Sequence, residues 1–533
     1  MTNAYITKRY KSSESTKNLI DNLLKGYSSA DYHFFVHLYN STLVSLSRKE
    51  EGWVPVSFKL MQQEWGQKVK LDIDGLIAKE LIEVKNIGTY TTVDGHLVSQ
   101  TYSKQKHICR EFRIHLSILA MLISSGVNTL EEAKSSKYYD LISGKLINTL
   151  KEVRYPKKSD KGTDHPELIL DAQELIKLCR VNIVAIKSHI DRLSDVADGL
   201  FGGGTIRDNK VLALDSHAYQ HILSHTVNEH GDFVDYKVMF SEKGPQMSGR
   251  ITEAGVGMQN CSRAMKQAGF SGIPNLKNYD LKSSQVWGLI QWFEDANDDA
   301  QWKDKIDTTW LTNYLDQDKQ VFADMVGVSK DRWKECFLAL VMGAFMIEKV
   351  TVEDFAPTKA LKKVNGEWVE TDAAPSRALF NCFYEEANGD AELAMSYYKK
   401  FFGVVRPLKV SIDNWQEWLI QRYLKKNSVY PRGSHRVYNR TGVFFNLDDY
   451  KNTKGEWVNS NTLKRKLSAF FLQGSEAGFI HNLTKLGPVY GFQTLNNQHD
   501  GLVVIGEIPQ EAVDIAKERS GLRYAKLEEK GFL

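Results

Sequence analysis

The apolar positions near the start of the chain follow the spacing of short amphipathic helices. Segment 29–46 has this spacing, and Ser57 is a residue type that caps helices, here a helix predicted over 58–66. A further helix is predicted over 71–84, because its apolar residues share one face: Leu71, Ile73, Leu76, Ile77 and Leu81.

Two strand-like segments, 86–95 and 110–116, come after these helices. Helices followed by a two-stranded wing are typical of winged-helix units, which often place a helix in the major groove of DNA. The pattern predicts such a unit over 29–115, after a polar N-terminal arm over 1–28. A small domain that contacts no nucleic acid is the alternative reading.

A strand followed by a helix is predicted around residue 280. The strand ends at Asp280, and the helix begins near Ser283 or Ser284, with apolar residues at helical spacing up to Phe293. A carboxylate at the end of a strand is well placed to hold a cation. The alternative is an ordinary helix start, where Asp and Ser are common.

A helix with two lysines on one side is predicted within the segment 329–344. Lys330, Lys334 and Leu338 lie one turn apart, and Gly343 closes the helix. Two cations one turn apart, backed by an apolar face, suit a polyphosphate. An ordinary amphipathic helix with solvated lysines is the alternative.

The last hundred residues carry a second candidate carboxylate. A helix is predicted over 472–486, starting at Gln473, and a strand follows it. Asp500 then sits on a tight turn before the apolar run 501–504. An isolated Asp-Gly pair is also compatible with a plain hairpin turn.

Composition limits the classes of protein to which this chain belongs. It has 533 residues, 42% hydrophobic and 25% charged, which indicates a globular chain of two to four domains. A net charge of +3 means that a nucleic-acid partner would need a locally basic cleft. Five scattered cysteines favour a reducing compartment. Because no apolar run spans a membrane and the first residues lack a signal peptide, we expect a soluble, cytoplasmic protein without a membrane partner.

The order of these segments resembles that of the family A DNA polymerases and, more distantly, the single-subunit RNA polymerases of phages and mitochondria. The resemblance covers about 245–533. It rests on Arg250 with Gln259-Asn260, on Asp280, on Lys330-x3-Lys334 followed by Met342-Gly343, on the segment that starts Gln473-Gly474-Ser475, and on His499-Asp500.

The resemblance implies an α+β, right-hand polymerase fold with an antiparallel palm sheet and helical fingers and thumb. A mainly helical N-terminal region with the winged-helix-like unit would precede it. The thumb would lie within 116–245 and the fingers over 301–430. The palm would consist of 246–300 and 431–533.

The resemblance also implies roles for individual residues. Asp280 and Asp500 would hold two Mg²⁺ ions, with Mn²⁺ as a substitute, and Lys334 would join them in catalysis. The residues implied to bind the nucleotide are Lys330, Lys334, Leu338, Met342, Gln285 and Trp287. The residues implied to bind nucleic acid are Arg250, Gln259, Asn260, Arg465, Gln473 and His499. Implied partners are a DNA template–primer, nucleoside triphosphates and replication accessory proteins.

Departures from the family pattern leave the product open. Two extra residues separate Asp280 from Gln285, and Trp287 falls where DNA polymerases carry a Glu. Met342 and Leu338 replace aromatic residues, and Gly501 replaces a Glu or Ser. We therefore predict a DNA-directed DNA polymerase of plasmid or phage replication, with two alternatives: a primase or RNA polymerase on the same fold, and an inert DNA-binding initiator.

Overall fold

The structure is a computed structural model, and it describes most of the chain. The described residues are 11–47, 52–56, 70–85, 88–91, 97–100, 110–150, 165, 167–197, 206–240, 248–355, 358–364, 367–373, 378–425, 436–450 and 460–531. In this part of the chain the fold is a mixture of helices and antiparallel sheets. No helix among these residues is both long and apolar enough to cross a membrane.

The N-terminal part combines short helices with small sheets. Its helices are α1 (Glu14–Leu23), α2 (Ser29–Ser47), α3 (Ile73–Ala78), α4 (Leu116–Ser124) and α5 (Leu130–Ser135). Its strands are β1 (Lys11–Ser13), β2 (Val54–Val56), β3 (Ile82–Val84), β4 (Gly88–Thr91), β5 (Leu97–Gln100), β6 (Arg110–Ile114) and β7 (Tyr138–Asp140). The described strands pair as β2–β6–β3, β4–β5 and β1–β7. Helix α1 packs Ile20 into this unit's core, within the region predicted as an arm.

One predicted helix of this unit is wrong in its length. The helix expected over 71–84 ends at Ala78, and Ile82–Val84 is a strand. Glu80 has φ +54°, a left-handed backbone conformation that residues other than glycine rarely adopt, and the helix does not continue through it. In the part of the chain that the structure describes, the two strands predicted as a wing do not pair with each other: β4 pairs with β5, whereas β6 pairs with β2 and β3. The helix predicted over 58–66 lies outside the described residues, so a winged-helix unit with another wing stays a prediction.

The next part holds a small antiparallel sheet that the sequence did not predict. Its helices are α6 (Glu167–Leu175), α7 (Ile183–Ala197), α8 (Ile206–Ser224) and α9 (Arg263–Phe270), and its strands are β8 (Leu178–Asn182), β9 (Thr226–His230) and β10 (Phe233–Lys237). These strands pair in the order β8–β10–β9. Their apolar side chains form one core with Leu495 and Val503, so the sheet supports the strands that bear the candidate site.

Helices dominate residues 284–425. They are α10 (Ser284–Asn297), α11 (Thr309–Asp316), α12 (Lys319–Val326), α13 (Lys330–Val341), α14 (Ala378–Glu386) and α15 (Ala391–Ile420), with short helical turns at Val352–Asp354 and Gln421–Lys425. Strands β12 (Thr358–Val364) and β13 (Glu367–Ala373) form a hairpin between α13 and α14. Stacked aromatic rings such as Tyr314 and Phe337, 4.2 Å apart, fill the core of this part.

The central sheet has, among the described residues, four antiparallel strands in the order β16–β17–β11–β18. These are β11 (Leu276–Leu281), β16 (Gln493–Asn497), β17 (Gly501–Ile505) and β18 (Leu527–Glu529). The remaining elements are strands β14 (Arg436–Tyr438) and β15 (Phe444–Asn446), the turn Leu447–Tyr450, and helices α16 (Ser460–Tyr490) and α17 (Gln510–Ser520).

Helix α16 runs beneath the candidate site and is longer than predicted. The sequence placed its start at Gln473, but the helix begins at Ser460. Gly474 is therefore in the helix interior rather than at its cap. A Cβ atom at Gly474 would lie 2.4 Å from the Asn439 side chain, so a close approach of the β14 segment explains this glycine.

Candidate active site

Asp280 and Asp500 lie next to each other on neighbouring strands. Asp280 is the next-to-last residue of β11, and Asp500 directly precedes β17. Asp280 pairs with Gly501, and the Leu281 N–H donates to the Asp500 carbonyl at 2.9 Å. The sequence predictions of a strand ending near Asp280 and a tight turn at Asp500 are therefore confirmed, and the sheet register brings the two residues together.

Both turns beside these carboxylates contain a strained backbone. His499 has φ +73° and Ser283 has φ +48°, although neither is a glycine. Such left-handed conformations cost about 1–3 kcal/mol each and concentrate at functional sites. The Asn497 side chain accepts the His499 N–H at 2.8 Å and holds the turn. Helix α10 starts at Ser284, as predicted, without a side-chain cap.

Gly501 is explained by the close approach of strand β11. A Cβ atom at Gly501 would lie 2.5 Å from the Tyr279 carbonyl oxygen and 3.5 Å from an Asp280 carboxylate oxygen. Real Cβ atoms do not approach an oxygen this closely. The departure from Glu or Ser at this position is therefore a requirement of the local pairing between the strands.

The charges around the two carboxylates oppose each other. Asp500 is open to solvent on its outer side, yet the protein around its inner side raises its pKa by desolvation, and the charge of Asp280 raises it further. Arg250 and Lys530 act in the opposite direction. The Lys530 ammonium forms an ion pair with the Asp280 carboxylate. The site thus has two acids whose repulsion is partly relieved by cations.

A buried ion pair joins three segments behind these acids. Glu476 of α16 is 1% exposed and accepts a hydrogen bond from Arg250 Nη2 at 2.7 Å. It also accepts one from the hydroxyl of Ser284, the first residue of α10. Burial raises the pKa of Glu476, and the charge of Arg250 opposes that shift. The pair ties the segment before β11, the helix after it and α16 together.

Several polar atoms beside this pair have no partner. Among the described residues, the buried atoms without a hydrogen bond include Arg250 Nε, Gln285 Oε1, His481 Nδ1 and His499 Nδ1. His481 donates its Nε2–H to the Gly249 carbonyl at 2.9 Å. Burial lowers the pKa of His499 to about 4, and Arg250 lowers it further, so this ring is neutral at pH 7. Unpaired buried polar atoms are costly unless a ligand or water completes them.

Gln259 and Asn260 occupy different environments. The Gln259 amide is buried and donates to the carbonyls of Ile251 and Asn497 at 3.0 and 2.8 Å. It therefore braces the segment before β11 against the Asp500 turn. Asn260 is half-buried. Lys266 donates to the Gln259 carbonyl at 2.9 Å and also contacts Gln498. The nucleic-acid role of Gln259 and Asn260 stays a prediction.

Helix α13 presents the predicted lysine face to solvent. Lys334 is exposed, and its ammonium is 3.7 Å from the Asp331 carboxylate, while Lys330 pairs with Asp318 at 2.8 Å. Leu338 is 45% exposed although it is apolar. The opposite side of the helix is buried by Trp333, Cys336, Phe337, Leu340 and Val341. The predicted face is confirmed, and its nucleotide-binding role stays a prediction.

Helix α16 links α13 to the two acids. Gln473 Nε2 lies 3.9 Å from the sulfur of Met342, which follows α13. Two turns earlier on α16, the Arg465 guanidinium lies 5.5 Å from the ring centre of Phe345. Arg465 also lines a cavity of about 310 Å³ together with Gly343 and Phe345. The residues predicted to contact template thus lie along the helix that carries Glu476.

Trp287 lies on the side of α10 that faces the C-terminal strand. Its ring is 5.7 Å from the Tyr524 ring, and the Lys526 ammonium lies 4.8 Å from the Trp287 ring centre. The indole therefore packs on the segment before β18. Its predicted place beside the nucleotide sugar stays a prediction.

Two residues of the site, Lys530 and Lys266, were missed by the sequence reasoning, and Glu476 was recognised only within the segment that starts at Gln473, without a role. Each contacts a partner far away in the sequence, at a separation of 226 residues for Arg250 and Glu476, 232 for Lys266 and Gln498, and 250 for Asp280 and Lys530. The available signal for Glu476 was that it is the single carboxylate of α16, because such a charge is seldom buried unpaired.

Comparisons with known proteins give a coarse structural similarity. No protein-family model matches the chain, and no curated protein does. Among solved structures, a similar fold is the POL domain of Pol1 from M. smegmatis, in complex with a DNA primer-template and dNTP. The similarity covers 68% of each chain, with a TM-score of 0.38 and 13% sequence identity.

Proposed function

We propose that this chain is a template-directed nucleotidyltransferase, a DNA-directed DNA polymerase that adds nucleotides to a primer 3′ end. The observation that carries the proposal is the position of Asp280 and Asp500 side by side on adjacent strands, where burial and then the charge of Asp280 raise the pKa of Asp500. Two carboxylates held together against their repulsion suit cation binding. Plasmid or phage replication is the setting that we propose from the sequence pattern.

The two acids fit the Mg²⁺ ions that such a reaction uses. Carboxylate oxygens are hard ligands, and Lys530 already places a positive charge on Asp280. Among the described residues, no group of three or more His, Cys, Asp or Glu side chains is arranged to hold a metal ion. Asp280 and Asp500 would therefore be the protein ligands, and water and phosphate oxygens would complete the set. Bound there, two Mg²⁺ ions would stabilise the attacking and leaving oxygens.

Helix α13 supplies the proposed triphosphate contacts. The Lys334 ammonium is exposed and its ion pair with Asp331 is long, 3.7 Å, so it is available to a phosphate. A lysine acts on phosphate as a mobile point charge. We propose that Lys334 neutralises the triphosphate and that Lys330 assists it. Leu338 and Met342 continue the same face toward Gln473.

Arg250 and His499 are the proposed contacts to the primer end. Arg250 Nε has no partner although it is buried, and the neutral His499 ring offers an unpaired Nδ1. The charge of Arg250 lowers the pKa of His499 and opposes the rise in the pKa of Asp500, so the three side chains lie near one another. Arg465 and Gln473 extend the proposed nucleic-acid path along α16. DNA binding by the N-terminal unit belongs to the same proposal.

A primase or RNA polymerase is the second candidate, and Trp287 favours it, because it falls where DNA polymerases carry the Glu that blocks a ribose 2′ hydroxyl. The Trp287 indole packs on Tyr524. Gly501 does not separate the two candidates, since a Cβ atom there would lie 2.5 Å from the Tyr279 carbonyl oxygen, which excludes Glu and Ser alike. Sugar selection would therefore depend on side chains other than that Glu.

Primer extension on a primed DNA template with Mg²⁺ tests the proposal. Parallel reactions contain dNTPs or rNTPs, and an unprimed template completes the set. We expect extension that Asp280→Asn and Asp500→Asn each abolish, with DNA affinity retained. Asp191→Asn is the matched control, since Asp191 is 56% exposed on α7, where it pairs with Lys187. Extension with rNTPs, above all without primer, would select the second candidate. Near-normal extension by either acid variant would refute the two-carboxylate site.

A further inference from the structure

Lys530 is held at the two acids by the sheet itself. Its backbone N–H donates to the Asn278 carbonyl at 2.7 Å, which extends the pairing of β18 with β11. Two exposed ion pairs flank this contact, Lys282 with Glu528 at 2.5 Å and Lys277 with Glu529 at 3.0 Å. Exposed pairs contribute little, so the backbone pairing is what holds the strand. Strand register therefore sets the position of Lys530, which lies diagonally across from Asp280, two residues beyond its direct partner Glu528.

The Lys530 ammonium takes the place of an external cation. It contacts the Asp280 carboxylate, where a bound cation would lie. The Lys530 side chain is 48% exposed, so it can move into solvent without opening the core. A metal ion that binds Oδ2 of Asp280, the oxygen in contact with Lys530, must first displace the ammonium.

We propose that Lys530 is a built-in counter-cation that competes with divalent metal ions for Asp280 and so limits the metal affinity of the free protein. The inference rests on the proposed function, because it assumes that Asp280 and Asp500 bind metal. Phosphate oxygens of a nucleotide add ligands that the two acids lack. The competition therefore favours metal that arrives together with the nucleotide over metal alone.

Binding of Mn²⁺ to the full chain, without DNA or nucleotide, tests this role. The free Mn²⁺ signal in electron paramagnetic resonance gives the Kd directly and does not depend on activity. We expect Lys530→Met to lower the Kd roughly 1.5- to fivefold, the range that an exposed ion pair supports. Lys530→Arg keeps the charge and should stay near the wild-type Kd.

Lys277→Met is the matched control. It also removes a lysine ion pair from β11, but its partners are Glu507 and Glu529 rather than Asp280. An equal Kd for wild type, Lys530→Met and Lys277→Met would overturn the inference, as would weaker binding by Lys530→Met. Asp280→Asn separates the two levels. If wild type binds Mn²⁺ and Asp280→Asn does not, an unchanged Lys530→Met refutes the counter-cation alone. If Asp280→Asn binds Mn²⁺ with the same Kd as wild type, the proposed metal site fails as well.

Discussion

The buried pair of Arg250 and Glu476 supports a quantitative prediction. Replacing Glu476 with Leu keeps the volume but leaves the Arg250 guanidinium without its 2.7 Å partner and Ser284 without its acceptor. Removing one partner of a buried ion pair costs about 3–5 kcal/mol. Because the Arg250 side chain is 17% exposed, water offsets part of this loss, and we take about 3 kcal/mol.

Hydrogen exchange at the start of α10 measures this loss where it occurs. The pair acts at one place in the fold, so a local free energy of opening is the more direct quantity. About 3 kcal/mol corresponds to roughly 150-fold faster exchange of the amides that follow Ser284. Glu476→Gln keeps one acceptor oxygen and should lose about half as much free energy, on the order of 1.5 kcal/mol.

A double-mutant cycle tests whether Arg250 and Glu476 act as a pair. Arg250→Met alone leaves a buried carboxylate, whereas Arg250→Met with Glu476→Leu leaves neither charge. We expect the double variant to lose less protection than the two single variants together, with a coupling of about 1.5–3 kcal/mol. Additive losses, or an unchanged exchange rate in Glu476→Leu, would show that the pair does not hold α10.

The remaining predictions concern the strand contact, the lysine face and pH. Gly501→Ala should lower both the Tm and the rate of primer extension, because its Cβ atom would meet the Tyr279 carbonyl. Gly403→Ala, in open space on α15, should not lower the Tm. Equal Tm values for Gly501→Ala and wild type would contradict this. Lys334→Ala should slow nucleotide addition about 10²–10³-fold with unchanged DNA affinity in a filter-binding assay. Burial lowers the pKa of His225 from 6.5 to about 4, so folding excludes its proton. Relative to His225→Gln, wild type should lose about 1.4 kcal/mol of stability per pH unit from pH 6.5 toward 4; a constant Tm difference between the two proteins would refute it.

The local parts of the site were predictable from sequence, because their signals lie within a few residues. The strand before Ser283, the turn at Asp500 and the exposed side of α13 each follow from apolar periodicity and turn chemistry. These are the features that short-range physics determines.

The failures have identifiable physical causes. Residues 71–84 keep their apolar spacing through the left-handed Glu80, so periodicity alone could not show where the helix ends. Gly474 resembled a helix start, but a glycine is needed there because the side chain of Asn439, which is distant in sequence, packs against it. Lys530 and Glu476 acquire their roles only when strands and helices from far along the chain meet.

Helix α16 has a mechanical consequence. Arg465 and Glu476 are eleven residues apart on one continuous helix, a fixed span of about 16 Å. One continuous element therefore sets the distance between the proposed template contact at Arg465 and the ion pair behind the two acids. The end of α13 is tied to the same helix, because Met342 contacts Gln473 and a Cβ atom at Gly343 would lie 2.7 Å from the Arg465 side chain. A displacement of α16 would thus reach the lysine face and the two acids together.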